Sequence, residues 1–438
     1  MRRHPHLRMR LQMRAFRRIS WIIAVAVAAG VAAAQFARLC DGAMGLHQAL
    51  YRRWPWPVLA LLPLGFTLGA WLTRRFAPES AGSGIPQVIA AAEQRWRGRW
   101  GGQRVTLRTA AWKVALTAGL LVCGASIGRE GPTVQVVAGV MRSLTRGLKG
   151  GAGRRAMIVA GGAAGVAAAF NTPIAGVVFA LEELARAFDK RVHTTVILVV
   201  VIAGFTSFAV QGDYAYFGEL RGEALGSAWL AAPVIGLAGG LAGGAFARAL
   251  TEMIGAGATN PVARFRRARP ILFALICGLV AAGAALASGG ITFGAGYDEA
   301  KALIQGHPGQ GLTLAGWKWV ASLAASACGA PGGIFAPSLA IGAGIGAAFM
   351  KLGLWAGARD AVVLGMASYL SGVVQAPLTS AVILMEMTRA PSLVGPLMLA
   401  ALLGRWASGL VCPEPLYHIL SQPWRRPQDE PSPLTPSL

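Results

Sequence analysis

The sequence predicts an all-α polytopic membrane protein built from two repeated halves, and three observations carry that prediction. Of the 438 residues, 55% are hydrophobic and only 13% charged, a balance that suits a membrane protein better than a soluble enzyme of equal length. Apolar runs of helical length recur along almost the whole chain. Two short Pro-containing patterns recur at nearly the same long interval. The 58 glycines agree with this class, because small residues let helix backbones approach closely in lipid.

Apolar stretches suited to membrane helices fall at about 19–39, 57–73, 110–127, 133–143, 156–170, 174–186, 194–210, 229–250, 270–288, 312–328, 334–356, 361–373, 377–388 and 393–411. Crossing ~30 Å of hydrocarbon takes roughly 20 helical residues. The pieces near 133–143 and 361–388 are therefore expected to be half-helices that meet inside the protein. Broken helices at mid-membrane are where transporters place their substrate sites.

The formal charge of +23 is not spread evenly. Basic residues gather in Arg2–Arg18, Arg95–Arg108, Arg142–Arg155, Arg264–Arg269 and Arg425–Arg426, between the apolar runs. That is the positive-inside pattern and disfavours a nucleic-acid partner. Arg17-Arg18 before the first apolar run resembles a cleavable or twin-Arg signal, but a signal anchor followed by many spans explains it as well. Cys40, Cys123, Cys277, Cys328 and Cys412 are scattered, with no CxxC and no Cys/His cluster, so they read as packing residues, and no metal or other cofactor is expected.

The repeat is seen twice. Asn171-Thr172-Pro173 leads to Glu182 and Gln375-Ala376-Pro377 leads to Glu386, each Pro preceding its Glu by the same interval, with the two copies 204 residues apart. The pentads Gly128-Arg129-Glu130-Gly131-Pro132 and Gly333-Ile334-Phe335-Ala336-Pro337 lie 205 apart. A third pentad of the same G-x-x-x-P form, Gly82-Ser83-Gly84-Ile85-Pro86, precedes the helix candidate Gln87–Glu93. Matching broken-helix turns in two halves point to a site between the halves.

The chemistry expected of that site follows from the pentads. An intramembrane carboxylate such as Glu130 costs roughly 2.5–3.5 kcal/mol even on the lenient insertion scale, so it needs a function. A monovalent anion moved into a dielectric of about 4 faces a Born cost of order 20 kcal/mol, and something polar must replace its water. Helix N-termini offer about half a positive charge each through backbone N–H groups, without the tight grip of a fixed Lys or Arg. Hydroxyls of Ser83 and of Tyr417, which stands beyond the last span, complete the candidate shell. Deprotonated, Glu130 is itself an anion that can occupy the seat; protonated, it can vacate it.

Three further groups have competing readings. Glu182 or Glu183 could exchange protons with the opposite aqueous face, or Glu183 could be an ordinary helix-end residue near Arg186. Lys113, inside Ala110–Leu121, either snorkels to the interface or is a buried charge. Gly124-Ala125-Ser126-Ile127-Gly128 matches the loose G-x-S-x-G pattern of serine hydrolases, but no strand–turn–helix context supports it and no His has a claim as partner. The chain is not expected to be an enzyme.

Assembled, these residues resemble the CLC family of chloride channels and proton-coupled chloride transporters. GSGIP at 82–86, GREGPTVQ at 128–135, GGIFAP at 332–337 and PLY at 415–417 occur in that family's order, over about 17–420. The resemblance implies a homodimer with one anion pathway per subunit, each subunit formed by two inverted halves of tilted, partly broken helices. It carries the central anion site to the hydroxyls of Ser83 and Tyr417 and the N–H groups of Ile334 and Phe335. It places the external gate at Glu130, the internal proton-transfer glutamate at Glu183 and a buried lysine at Lys113. Ser83 resembles the chloride-preferring members, since nitrate-preferring relatives tend to carry Pro there and the fluoride branch departs at this position and at the tyrosine. One departure is Gln87-Val88-Ile89, where relatives often carry acidic residues.

The resulting expectation is a chloride/proton antiporter of a cell inner membrane, with chloride, protons and membrane lipid as partners. A passive voltage- or pH-gated chloride channel of the same fold is the alternative. Residues 1–18 are expected to form a basic cytoplasmic N-terminus, 19–420 the membrane domain with halves about 19–210 and 229–420, and 421–438 a Pro-rich cytoplasmic tail. That tail is too short for paired regulatory domains.

Overall fold

A computed structural model of the chain describes residues 5–93, 104–146, 151–184, 193–212, 216–218, 220, 225–307, 311–351 and 358–425. The tail beyond 425, Arg186, and the larger part of the Arg95–Arg108 cluster lie outside the described residues.

The first half opens with α1 (Pro5–Arg53), α2 (Pro55–Leu59) and α3 (Leu61–Phe76). Its 49 residues make α1 about 70 Å long, well over a bilayer thickness. The expected span 19–39 is thus the middle of a continuous helix, and no break separates the basic start from the membrane domain. Ile22, Val25, Ala29 and Ala33 are buried while Ile23, Val27 and Val31 are exposed. A helix apolar on both its inner and outer faces is one that lipid covers.

The chain continues through α4 (Ile85–Glu93), α5 (Leu107–Val122), α6 (Glu130–Leu144) and α7 (Gly151–Phe170). After α8 (Pro173–Phe179) comes a π-helical turn, Ala180–Leu184, and then α9 (His193–Gln211). The second half repeats this order. It comprises α10 (Leu225–Ile254), α11 (Pro261–Ala268), α12 (Pro270–Ala287), α13 (Tyr297–Ile304), α14 (Gly311–Ala327), α15 (Phe335–Lys351), α16 (Ala358–Val374), α17 (Pro377–Thr388) and α18 (Val394–Val411). The α-helix α19 (Leu416–Ser421), which follows α18, carries Tyr417 and has no counterpart among the described residues of the first half.

Among the described residues six helical stretches are long and apolar enough to cross a membrane: Gln12–Arg53, Pro55–Phe76, Thr194–Gln211, Gly226–Ile254, Pro270–Ala287 and Pro391–Val411. Shorter apolar helices, Arg155–Phe170, Phe335–Met350 and Pro377–Thr388, sit among them. Backbones pack where side chains are smallest. Gly240 on α10 faces the backbone of Gly404 on α18, and Gly342 and Gly346 on α15 face Gly365 and Ala361 on α16. A side chain at those glycines would meet backbone atoms and force the helices apart.

The duplication extends into backbone detail. Asn171 and Gln375, the residues two before the matched prolines, both adopt left-handed conformations, at φ of 58° and 59°. At the ends of the helices that follow, Glu182 accepts hydrogen bonds from the amides of Leu378 (3.1 Å) and Thr379 (2.7 Å) on α17. Glu386 accepts from Ile174 (3.2 Å) and Ala175 (2.7 Å) on α8. Each helix start lies against the other's end, so α8 and α17 run antiparallel.

Candidate functional site

The three pentads converge because their backbones are hydrogen-bonded to one another. Gly82 N–H donates to Ala330 O and Gly332 N–H donates to Gly82 O, both at 3.1 Å. Gly128 and Gly333 exchange a reciprocal pair at 2.8 Å each. This satisfies main-chain groups that lipid could not. It also brings the starts of α4, α6 and α15 together, with Pro86, Pro132 and Pro337 in their first turns, where a missing N–H costs nothing.

Two buried lysines hold these loops. Lys113 on α5 is fully buried and donates to Ser80 O and Gly82 O, at 2.7 Å each, so it does not snorkel to an exposed surface. Its partner at the repeat interval, Lys318 on α14, is equally buried and donates to the carbonyls of Thr292 (3.0 Å), Phe293 (3.1 Å) and Gly294 (2.8 Å). The loop that Lys318 gathers, Gly294-Ala295-Gly296 before α13, is the counterpart of Gly82-Ser83-Gly84 before α4. All four glycines have positive φ, 61° and 84° against 62° and 99°. Sequence reasoning missed this loop because it is not closed by proline, and missed Lys318 although the offset from Lys113 to Lys318 was available.

At the convergence sits Glu130, 1% exposed in the first turn of α6. Its Oε2 accepts from the amide of Ala336 at 3.4 Å, in the first turn of α15. Its Oε1 accepts from the hydroxyl of Tyr297 at 2.6 Å. The carboxylate thus occupies the start of α15 directly after Ile334 and Phe335. Gly128 makes room for it, since a Cβ there would collide with Oε2. Gly131 plays the same part for Ser83, whose Oγ lies where a Gly131 Cβ would be.

Ser83 and Tyr417 are both buried, and neither hydroxyl closes a hydrogen bond among the described residues. The two hydroxyls lie close enough to interact with one another, and Tyr417 lies within electrostatic reach of Glu130 and of Glu183 alike. The Tyr417 ring stacks on Phe335 with centroids 6.1 Å apart and planes at 14°. Phe170 and Phe179 close the other sides of Phe335. Two neighbouring buried hydroxyls beside helix N-termini are donors suited to a small dehydrated anion.

Arg129 is buried but its guanidinium is engaged elsewhere. It donates to Ala37 O at 2.6 Å, pairs with Asp41 at 2.5 Å and hydrogen-bonds the Tyr216 hydroxyl. The adjacent glutamates divide their tasks. Glu182 is the cap of α17, whereas Glu183, in the π-helical turn, is 8% exposed, so it is not the exposed helix end of the alternative reading. Ser126 hydrogen-bonds Ser322 at 2.9 Å. On the Tyr297 side of Glu130 opens a cavity of about 440 Å³ whose walls include Asp41, His47, Arg129, Tyr297 and Glu299.

Fold and site together define a polytopic membrane protein in which a buried carboxylate sits where three helix starts converge. The chain belongs to the family of voltage gated chloride channels, whose model matches residues 64–409. It is 31% identical to an H(+)/Cl(-) exchange transporter ClcA of Cronobacter sakazakii over 85% of this chain and 81% of the relative. To the same-named protein of Citrobacter koseri it is 30% identical, over 83% and 78%. Among solved structures it is similar to a slow cyanobacterial Cl-/H+ antiporter (TM-score 0.78, 25% identity, 92% of this chain and 97% of that one). It also shares the fold of a CLC-type fluoride/proton antiporter (TM-score 0.74, 23% identity, 91% and 96%).

Proposed function

We propose that this protein exchanges chloride for protons across the membrane, with chloride held by Ser83, Tyr417 and the amides of Ile334 and Phe335, and Glu130 as the external gate. The observation that carries the reading is the seat of the Glu130 carboxylate, on the Ala336 amide at the start of α15. A negative group already occupies the place helix N-termini prepare for an anion. Chloride and ionised Glu130 compete for it, and protonation removes the competitor's charge. Anion entry is thereby linked to proton uptake.

Glu183 is the internal proton-transfer group in this scheme, and its nearness to Tyr417 supports that role. Lys113 acts by holding the Gly82 carbonyl and with it the Ser83 loop. The reciprocal caps of α8 and α17 support inverted halves. The protein is placed in a cell inner membrane as a homodimer, with both ends cytoplasmic, as the basic residues Arg14, Arg17, Arg18 and Arg425 at those ends favour.

The test is reconstitution in liposomes with simultaneous chloride and proton recording. A chloride gradient should drive protons uphill in the parent protein and fail to do so in Glu130→Gln, which should still pass chloride. Proton pumping that persists in the variant would remove Glu130 from the gate. A reversal potential indifferent to a pH gradient in the parent would instead mark a passive channel.

A further inference from the structure

Tyr297 is the first residue of α13, and its hydroxyl reaches Glu130 from the 440 Å³ cavity, which its own ring helps to line. Nothing about its position is loose. The ring packs on Tyr216 and Phe217, at centroid distances of 4.9 and 6.1 Å. The loop before it is gathered by three carbonyl contacts to buried Lys318, whose stem passes beside Gly296. The second half of the repeat thus delivers a phenol to the gate of the first half, where the matching position, Ile85, carries no polar group.

We propose that Tyr297 is a latch, a positioning residue that holds the ionised Glu130 carboxylate in the anion seat and sets the pH at which the gate lets go. A phenol O–H donates well to a carboxylate and has less to offer a neutral carboxyl in the same pose, so the bond favours the charged, seated form. The other polar groups around the gate have different engagements. Arg129 is tied to Ala37, Asp41 and Tyr216; Cys40 on α1 and Tyr417 on α19 are within electrostatic reach; the Ala336 amide makes the second contact at 3.4 Å. Behind Tyr297 stand Lys318 and Glu299, near enough to interact with each other. The 2.6 Å phenol bond is the shorter of the two contacts that Glu130 makes.

The inference rests on the gate role proposed for Glu130. Tyr297→Phe removes one oxygen and keeps the ring contacts. Chloride flux against pH in liposomes should shift toward higher pH by about one unit, the size expected from losing a hydrogen bond to a charged group, and flux at neutral pH should rise. In a Glu130→Gln background the same substitution should change nothing, because no ionised carboxylate is left to hold. Tyr297→Leu, which also gives up the ring, should move the profile in the same direction and serves if the phenylalanine variant does not elute as a single species. An unmoved profile in both variants, or an equal effect with Glu130→Gln, overturns the latch. Failure of the gate itself looks different, since Glu130→Gln alone would then keep proton coupling.

Discussion

Glu182 and Glu386, 204 positions apart, each cap the helix that the other one ends. The exchange ties the two halves at the α8–α17 pair, where two short helices start inside the protein. A helix N-terminus leaves N–H groups without intrahelical partners, and within a bilayer water is not there to take them. A carboxylate borrowed from the opposite half supplies both the acceptor and the charge that the helix dipole favours.

Replacing either carboxylate by alanine should destabilise the protein with little effect on ion selectivity. Loss of a cap costs ~1 kcal/mol, and Glu182 also gives up its bond to the Thr379 hydroxyl at 2.7 Å. Glu182→Ala should therefore lower the midpoint of thermal unfolding in detergent by more than Glu386→Ala. Because the two caps sit at opposite ends of the pair, the double variant should show roughly the sum. Thermostability read by fluorescence-detected size exclusion checks the order, and selectivity measured on the same samples should stay at the parental ratio.

Lys113 and Lys318 make a second symmetric pair with a stronger prediction. Among the described residues each lysine Nζ is the only side-chain donor to its carbonyl cluster, two acceptors for Lys113 and three for Lys318. Methionine fills the stem's volume but takes the side-chain donor from Ser80 O and from the three carbonyls around Lys318, while Gly82 O keeps its bond from Gly332 N–H; each acceptor left unpaired costs about 1–3 kcal/mol. Lys318→Met should be the more damaging, judged by the yield of monodisperse protein. Arginine should not rescue either site, since a planar guanidinium does not fit a pocket closed around a single nitrogen.

Gly128 predicts a gate phenotype without touching Glu130. A methyl group at Gly128 would fall on Oε2 and also crowd the Ala336 methyl, so Gly128→Ala should push the carboxylate out of its seat. Chloride flux at neutral pH should rise and the protons carried per chloride should fall, part of the way toward Glu130→Gln. Paired flux recordings decide it. Unchanged coupling would mean that the seat is wider than the geometry implies.

Much of this arrangement was legible in the sequence, for physical reasons that also mark where legibility stopped. Proline and glycine write backbone demands directly into the chain, so the three pentads and the Thr172-Pro173 and Ala376-Pro377 turns announced themselves. A lone charge in an apolar run does the same, which is why Glu130 and Lys113 were found. Tyr297 gave no such signal, because a tyrosine beside a loop is ordinary and its partner lies 167 positions away. The residues alone left Glu182 and Glu183 open, and only the resemblance favoured Glu183, because the capping of α17 by Glu182 is a contact across 197 positions. The antiparallel setting of α8 and α17 needed the hydrogen bonds themselves.

Proton linkage gives the last prediction its sign. On the proposed function ionised Glu130 competes with chloride, so chloride binding should favour the protonated gate and tighten as pH falls through the range in which that carboxyl titrates. With a single competing carboxylate the slope cannot exceed about tenfold in affinity per pH unit, equivalent to ~1.4 kcal/mol. Above that range binding should level off at its weak, competed value, and below it at its strong one. Glu130→Gln should bind chloride with the strong value at every pH, whereas Ser83→Ala and Tyr417→Phe should weaken binding by a few fold to about tenfold while keeping the pH dependence, since each removes a donor and leaves the competitor. Isothermal titration of chloride in detergent at several pH values separates the two classes. A parent protein whose chloride affinity ignores pH would mean that the carboxylate seen on the Ala336 amide and the anion do not share a seat.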